Sequence, residues 1–454
     1  MRANRTRAMS SPTAATTSTA SRLTRRRFLA GAGAAGAAGL VLPALSPRLA
    51  FASPEAPATG DVLVAIFLRG GADGLSIVPP FSDTAGYQAL RGAGTSNDVA
   101  VPPPDPANAA NTAIDLGVTV SGHHFGLHPA ATGLKHIWDA GHLAIVHAAG
   151  LPATESDTRS HFDAETFWER ASADVGVGTG WIGRHLVSSG PWDGIPGVGY
   201  DTGGVPMSLR GEPRAMGMRT IADFHVEGFS DSELSQIALG GLYPDGTGNL
   251  LTQQGHDTLA AVNDVVAADP AQYDDHAGLY PTTRPARELA QALREVAQLI
   301  RAGIGLRAVA LDLGGWDLHD DMGPVSSTQG TQRLLITALS EALWAFHQDL
   351  GPLMDEVTVV TMTEFGRTIA CNGSGGTDHG RGTAVLVVSG NAVPGIHGDY
   401  PAGPLDDGPE DDLVVLNDYR TVMAEVVTKR LGNPHLDQVF PGYTHPGDLG
   451  VVTA

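Results

Sequence analysis

Leu63-Val64-Ala65-Ile66-Phe67-Leu68 is an apolar run without the alternating polar residues of a half-exposed strand. Such a run is typical of a strand that is buried on both faces of a sheet. Comparable strand-like runs lie at 143–148, 306–313, 356–363 and 383–389, and helical patterns lie at 288–302, 331–349 and 417–431. This alternation predicts an α/β fold, a doubly wound, mostly parallel sheet with helices on both faces.

The length of the chain allows one or two domains after residue 52. The repeated strand-helix pattern favours a single α/β domain over 53–454. From about 175 to 285 the chain is rich in Gly, Pro, Asp and Thr, and its hydrophobic periodicity is weak. We therefore expect a long, loop-rich insertion there, which could form a lid over the crevice of the sheet.

The N-terminal segment carries an export signal. Thr24-Arg25-Arg26-Arg27-Phe28-Leu29 is a twin-arginine pattern, followed by an Ala/Gly-rich stretch at 30–42 and by Ala50-Phe51-Ala52. We predict that 1–52 is a twin-arginine signal peptide, cleaved before Ser53, and that the protein is periplasmic or extracellular. The alternative is a membrane anchor, but the apolar stretch is too short for a stable span. The twin-arginine translocon is the expected partner during export.

The charge balance excludes some partners. The chain has 28 basic and 49 acidic residues, for a formal charge of −21, and 1–52 contains eight arginines but no Lys, Asp or Glu. Cleavage would therefore leave a formal charge of −29. So acidic a surface repels nucleic acid and anionic membranes. The one cysteine, Cys371, rules out a disulfide within the chain, and its Gly-rich surroundings favour a surface thiol over a nucleophile.

Acidic and histidine residues follow the predicted strands. Asp73 follows the first strand, and Asp317 and His319 follow the strand at 306–313. Asp378 and His379 lie in the glycine-flanked stretch Gly376-Thr377-Asp378-His379-Gly380. Strand ends of an open α/β sheet form its ligand crevice, and oxygen and nitrogen ligands suit zinc or manganese. The alternative for the Asp-His pair is a turn with a hydrogen-bonded histidine.

Ser160 begins a predicted helix and has two interpretations. It is a good N-cap, with Asp163 in a capping-box-like position three residues later. A hydroxyl group at a helix N-terminus also lies near free backbone N–H groups and the positive end of the helix dipole, which would stabilise an attacking oxyanion and a phosphate. Both roles stay open.

Five motifs carry a resemblance to the bacterial family catalogued as domain of unknown function 1501. They are Arg69-Gly70-Gly71-Ala72-Asp73-Gly74-Leu75-Ser76, Ser160-His161-Phe162-Asp163-Ala164, Gly314-Gly315-Trp316-Asp317-Leu318-His319, Thr363-Glu364-Phe365-Gly366-Arg367-Thr368 and Gly376-Thr377-Asp378-His379-Gly380. That family is distantly similar to the alkaline phosphatase and sulfatase superfamily. The resemblance to that superfamily implies two divalent metal ions, zinc or manganese. The first would be held by Asp73, Asp378 and His379, and the second by Asp317, His319 and His397.

The same resemblance implies catalytic roles. Ser160 would be the nucleophile, and His161 would orient the leaving group or phosphate. Arg159 or Arg367 would pair with the oxygens of the substrate, unless each is only a surface salt-bridge partner. We therefore expect an exported metal-dependent hydrolase of phosphoesters or related anionic esters. The alternative is a non-catalytic binding or assembly protein on a phosphatase-like scaffold.

Replacing both Arg25 and Arg26 with lysine should trap the precursor inside the cell, because the translocon reads the arginine pair as an address and not as charge alone. Immunoblotting of cytoplasmic and exported fractions measures the effect. Unchanged export of the double variant would show that the protein leaves the cell by another route.

Overall fold

A nine-stranded mixed sheet forms the centre of the protein in the computed structural model, which describes residues 61–200, 204–224, 250–406 and 412–454. Its strands are β1 (Val62–Arg69), β4 (Leu143–Gly150), β5 (Gly197–Tyr200), β6 (Met216–Met218), β7 (Ala308–Gly314), β8 (Val357–Met362), β9 (Thr383–Val388), β10 (Gly395–His397) and β11 (Asn417–Asp418). Strands β2 (Ile114–Val120) and β3 (His123–Leu127) form a separate antiparallel ribbon. The expected signal peptide lies outside the described residues.

The strand order is β10-β4-β9-β8-β1-β7-β5-β6, with β11 paired to β4. Strand β9 is antiparallel to both of its neighbours, and the other ladders are parallel. The carboxyl ends of β1, β4, β7 and β8 therefore lie at one edge of the sheet. Because β9 runs the opposite way, its first residue lies at that same edge.

Helices cover both faces of the sheet. They are α1 (Gly74–Ile77), α2 (Thr132–Asp139), α3 (His161–Arg170), α4 (Trp181–Ser189), α5 (Leu250–Ala268), α6 (Ala286–Ala302), α7 (Thr331–Leu350), α8 (Tyr419–Lys429) and α9 (Leu436–Val439). No helix in the described part of the chain is long and apolar enough to cross a membrane.

The side chains of β1 show why the sheet is covered on both faces. Val64 and Ile66 belong to a core that includes apolar residues of α2, α6 and α7, whereas Ala65 and Phe67 belong to a second core with residues of α3, α4 and α8. Successive residues of a strand point to opposite faces, so a continuous apolar run can fill both cores. The predicted doubly wound, mostly parallel sheet is thus confirmed.

The segment predicted as a loop-rich insertion is partly a component of the sheet. Helix α4 belongs to the second core, β5 pairs with β7, and β6 pairs with β5. The boundaries 175–285 were therefore wrong for this part, because Gly197–Tyr200 and Met216–Met218 are too short and glycine-rich to form a recognisable apolar run. Residues 201–203 and 225–249 lie outside the described residues, and a lid there stays a prediction.

A buried ion pair fixes the loop after β1. Both guanidinium Nη atoms of Arg91 bind the carboxylate of Asp73, at 2.5 and 3.0 Å, and both side chains are buried. Arg91 also donates to the carbonyl oxygens of Thr368 and Ile369. Burial acts to raise the pKa of Asp73, but Arg91 outweighs it and holds that pKa below its usual value. The pair therefore joins this loop to the chain that follows β8.

Replacing Asp73 with Asn should lower the free energy of unfolding by about 3–5 kcal/mol at pH 7, because the buried charge of Arg91 loses its partner. Urea unfolding measures the loss. A carboxyl group with a lowered folded-state pKa contributes stability above its ordinary pKa of about 3.9, so the difference from the parent should shrink in acid.

Asp139→Asn is the matched control, because Asp139 pairs with Lys135 on the exposed surface of α2, and such a pair contributes less than about 1 kcal/mol. Equal effects of the two substitutions would contradict the structural role of Asp73.

Candidate metal centre

Three histidines and one aspartate meet at the edge of the sheet where the parallel strands end. Asp317 and His319 follow β7, and His379 precedes β9, whose first residue lies at this edge. His161 begins α3, in the connection that follows β4. The topology alone therefore brings together residues that lie far apart in the sequence.

The ligand-type atoms of these residues are in contact. The Nε2 atoms of His319 and His379 are 2.8 Å apart, and Oδ1 of Asp317 lies 3.1 and 3.2 Å from them. The Nε2 atom of His161 lies 3.5 Å from the same oxygen. We call these four residues the imidazole cluster. The side chain of Asp317 is 47 % exposed and that of His319 is 42 % exposed, so solutes can reach the cluster.

The other ring nitrogen of each histidine faces an acceptor. Nδ1 of His319 lies 2.8 Å from Oδ1 of Asp378, Nδ1 of His379 lies 2.8 Å from the carbonyl oxygen of Arg159, and Nδ1 of His161 lies 3.4 Å from Oε1 of Glu364. Carboxylates and carbonyls only accept, so each Nδ1 carries the hydrogen, and in a neutral ring Nε2 keeps its lone pair. Metal-bound histidines are usually held in this way.

Four lone-pair donors therefore face one another. Lone pairs at these distances repel unless a proton or a metal ion lies between them. Within the described chain, the buried Nε2 atom of His161 has no hydrogen-bond partner. Zinc-nitrogen distances of about 2.0–2.1 Å place tetrahedral ligands about 3.4 Å apart, and the four separations given above, from 2.8 to 3.5 Å, are close to that value. The cluster thus fits a divalent ion such as zinc.

The electrostatic environment favours the ligand forms of these groups. Burial lowers the pKa of His379, and this keeps its ring neutral. Burial acts to raise the pKa of Asp317, but the hydrogen bond and the positive charge of Arg367 outweigh it and hold that pKa below the usual value. Metal binding requires a neutral imidazole and an ionised carboxylate, so neither group has to change its protonation state.

Arg367 positions the cluster from its buried side and is not exposed to solvent. Its fully buried guanidinium donates to the carbonyl oxygens of Gly70, Gly71, Trp316 and Thr377 and, at 2.7 Å, to Oδ1 of Asp317. The prediction of a substrate-binding Arg367 was wrong, because the group is enclosed by backbone carbonyls. The second lone pair of Asp317 Oδ1 remains for a metal ion.

Three of the predicted metal ligands have other contacts. Asp378 orients His319, and the resulting hydrogen bond lowers the pKa of Asp378. Both carboxylate oxygens of Asp73 bind Arg91. His397 lies opposite Val146 in the middle of β4, and its Nε2 atom is 2.8 Å from the carbonyl oxygen of Val393. The assignments of Asp73 and His397 are therefore corrected, because motif spacing indicated strand ends but not which side chains share a partner. Asp378 adjoins the cluster, and its role as a metal ligand stays a prediction.

The number of metal sites is also smaller than the resemblance implied. Within the described ranges, one group of His, Asp or Glu residues has the geometry to hold a metal ion, and it contains His161, Asp317 and His379. His161 was predicted as a catalytic residue, but the structure places it among the potential ligands. We retain one metal position in place of two.

Ser160 and Arg159 lie beside the cluster. Ser160 occupies the N-cap position of α3, but its side chain makes no capping hydrogen bond. The capping-box prediction was therefore wrong, and the half-buried hydroxyl is not committed to the helix end. Arg159 donates to the carbonyl oxygen of His379 at 3.2 Å and to Asp412 at 2.6 Å, and 38 % of its side chain is exposed.

Glu364 is a site residue that lies within one of the five motifs, but the sequence did not indicate its role. Its carboxylate accepts hydrogen bonds from the backbone N–H groups of Gly70 and Gly71, at 2.7 and 2.8 Å, and from the hydroxyl of Thr363 at 3.0 Å. It is fully buried and faces His161. Glu364 follows β8 almost directly, so the strand-end rule used for Asp73 and Asp317 could have identified it.

Comparison with protein families supports part of the expected resemblance. Residues 251–415 match the family model described as "Protein of unknown function (DUF1501)". The chain resembles the DUF1501 family. The matched segment contains Asp317, His319, Glu364, Arg367 and the Asp378-His379 pair, whereas the motifs at Arg69–Ser76 and Ser160–Ala164 lie outside it. No curated protein matches the chain.

Solved structures with a related fold include the lipoteichoic acid synthase LtaP from Listeria monocytogenes, at 8% identity and a TM-score of 0.33, covering 82% of this chain and 76% of that one. Alkaline phosphatase from the Antarctic bacterium TAB5 has 8% identity and a TM-score of 0.28, with coverage of 73% and 92%. At these values the likenesses carry no information about the activity of this chain.

Replacing His379 with Ala should abolish stoichiometric zinc binding, because the cluster loses a central ligand. Asp378→Asn should keep the site but weaken its zinc affinity about 10–100-fold, because Asp378 only orients His319. Competition with a chromophoric chelator measures both effects.

His397→Ala is the matched control and should bind zinc like the parent protein. An equal loss of zinc in His397→Ala and His379→Ala would contradict the assignment.

Proposed function

We propose that the protein is an exported metal-dependent hydrolase of phosphoesters or related anionic esters. The convergence of three imidazole Nε2 atoms on one carboxylate oxygen carries this proposal, because ligands of this kind suit zinc or manganese. The exposure of Asp317 and His319 supports a catalytic role, since a catalytic metal must be reachable by the substrate, whereas structural zinc sites are closed.

Two further features support an anionic substrate. The N-terminus of α3 lies at the cluster, and the Ser160 side chain leaves its first N–H groups uncapped. A free helix N-terminus attracts phosphate through these groups and the helix dipole. The partly exposed guanidinium of Arg159 lies at the same place, anchored by Asp412. The N-terminus of α3 and the guanidinium of Arg159 thus both favour a negatively charged ligand.

The residues of the cluster have separate roles in this proposal. His161, His319, His379 and Asp317 would hold the ion, which would stabilise negative charge developing on a phosphoryl oxygen. Asp378 and Glu364 keep their histidines in the ligating tautomer. The hydroxyl oxygen of Ser160 would attack the phosphorus and lose its proton to solvent as the bond to the alcohol breaks. Water would later release the phosphate and return a proton to the serine oxygen.

Asp317→Ala should abolish hydrolysis together with metal binding, because the cation loses its only anionic ligand in the cluster. Ser160→Ala should retain the metal and the fold but lose turnover. The assay is a panel of phosphomonoesters, phosphodiesters and sulfate esters with the zinc- and manganese-loaded protein.

Ser189→Ala on α4 is the matched serine control, because its hydroxyl bonds the carbonyl oxygen of His185 within the helix. Full activity of Ser160→Ala beside an inactive Asp317→Ala would show that water attacks directly. Stoichiometric metal binding without hydrolysis of any ester would instead indicate the alternative function, a non-catalytic binding or assembly protein.

A further inference from the structure

Three guanidinium groups lie at the imidazole cluster, and each of them contacts a carboxylate. Arg367 donates to Asp317 at 2.7 Å, and Arg159 donates to Asp412 at 2.6 Å. The Nε atom of Arg381 lies 3.2 Å from the same oxygen of Asp412. The positive charge of these groups is therefore already shared with resident carboxylates.

Three further carboxylates lie beside these pairs. Asp157 contacts Arg381, and Asp378 and Glu364 face the Nδ1 atoms of two histidines of the cluster. Glu364 also accepts two backbone N–H bonds, as an ionised carboxylate does. Five carboxylates thus accompany three guanidiniums. A divalent ion held by the cluster would bring the total charge of these groups to zero.

Neighbouring charges do not make this balance positive. The guanidinium of Arg69 contacts Asp312, Glu165 and Glu169, so this set has more carboxyl groups than cations. The N-terminus of α3 carries roughly half a positive charge, but Asp163 lies in its first turn. Beyond residue 52, the stretches outside the described residues contain no lysine or arginine: 53–60, 201–203, 225–249 and 407–411. They can add only neutral or acidic groups, with histidine counted as neutral.

We propose that the ester group of the substrate carries a single negative charge, as in a phosphodiester or a sulfate ester, an inference that rests on the proposed hydrolase function. A phosphomonoester carries close to two negative charges in neutral solution, because its second pKa is about 6. One charge at the cluster would face the metal ion and the partly exposed Arg159. A second charge would add to surroundings in which each guanidinium already has a carboxylate partner, so it gains little attraction.

Three esters with the same 4-nitrophenolate leaving group test this substrate class. Bis(4-nitrophenyl) phosphate and 4-nitrophenyl sulfate carry one negative charge each, whereas 4-nitrophenyl phosphate carries close to two at about pH 8. With the zinc-loaded protein, kcat/KM should be about 10-fold higher for one of the monoanionic esters than for the dianionic ester. The preferred monoanionic ester distinguishes a phosphodiesterase from a sulfatase. If 4-nitrophenyl phosphate is hydrolysed as well or better, the inference falls while the hydrolase function stands.

Removal of a resident carboxylate should shift this preference toward the dianionic ester. Asp412→Asn leaves the charges of Arg159 and Arg381 less compensated, and it should raise kcat/KM for 4-nitrophenyl phosphate about 3–30-fold more than for bis(4-nitrophenyl) phosphate. Because Asp412 is nearly buried, Asp157→Asn is a second test at an exposed position, with a shift of about 2–10-fold in the same direction. Each ester is compared with itself, so differences in intrinsic reactivity cancel.

Asp139→Asn is the matched control, because Asp139 precedes the amino end of β4, at the opposite edge of the sheet. It should leave the ratio of the two esters unchanged. If Asp412→Asn and Asp157→Asn both change the two esters equally, charge does not select the substrate and the inference is overturned.

Calorimetric titration of the zinc-loaded protein gives a second readout that does not depend on turnover. In mildly alkaline solution methylphenylphosphinate carries one negative charge and phenylphosphonate carries two, and neither contains an ester bond. The parent protein should bind the phosphinate at least as tightly, and Asp412→Asn should favour the phosphonate more than the parent does. Tighter binding of the phosphonate by the parent would contradict the inference. If the loaded protein hydrolyses no ester of the panel, the hydrolase function falls and the inference falls with it.

Discussion

The buried guanidinium of Arg367 holds together the loops that carry the imidazole cluster. It joins the carbonyl oxygens of Gly70 and Gly71 after β1 to Trp316 and Asp317 after β7. A buried charge is stable only when it is paired and its hydrogen bonds are made, so these loops are fixed in their relative positions. Gly70 permits the contact, because its φ is +118° and an added Cβ atom would lie 2.4 Å from the backbone nitrogen of Asp317.

Around this contact, the site divides into two sets of charged and polar groups. The imidazole cluster consists of three rings and one carboxylate, arranged to share a cation. The second set consists of Glu165, Glu169 and Asp312, which all contact the guanidinium of Arg69. Helix α3 links the two sets, because His161 belongs to the first and Glu165 to the second. Glu364 lies between them, hydrogen-bonded to one and facing the other.

Much of the fold could be predicted from the sequence, because buried strands are continuous apolar runs. All five predicted strands and all four predicted helices, including the one that begins at Ser160, occur within a few residues of their expected positions. The short strands β5 and β6 could not be recognised, since their positions depend on pairing with β7 and not on local pattern. Strand ends also located Asp317, His319 and His379, but not the roles of Asp73 and Asp378, which depend on distant partners such as Arg91 and His319.

Anomalous diffraction at the zinc absorption edge, from crystals of the zinc-loaded protein, tests the central claim most directly. The account predicts one peak at about 2.0–2.2 Å from the Nε2 atoms of His161, His319 and His379 and from Oδ1 of Asp317. It would be contradicted by a peak bound to Asp73 or His397. It would equally be contradicted if the cluster held no peak and the Nε2 atoms of His319 and His379 stayed hydrogen-bonded to each other.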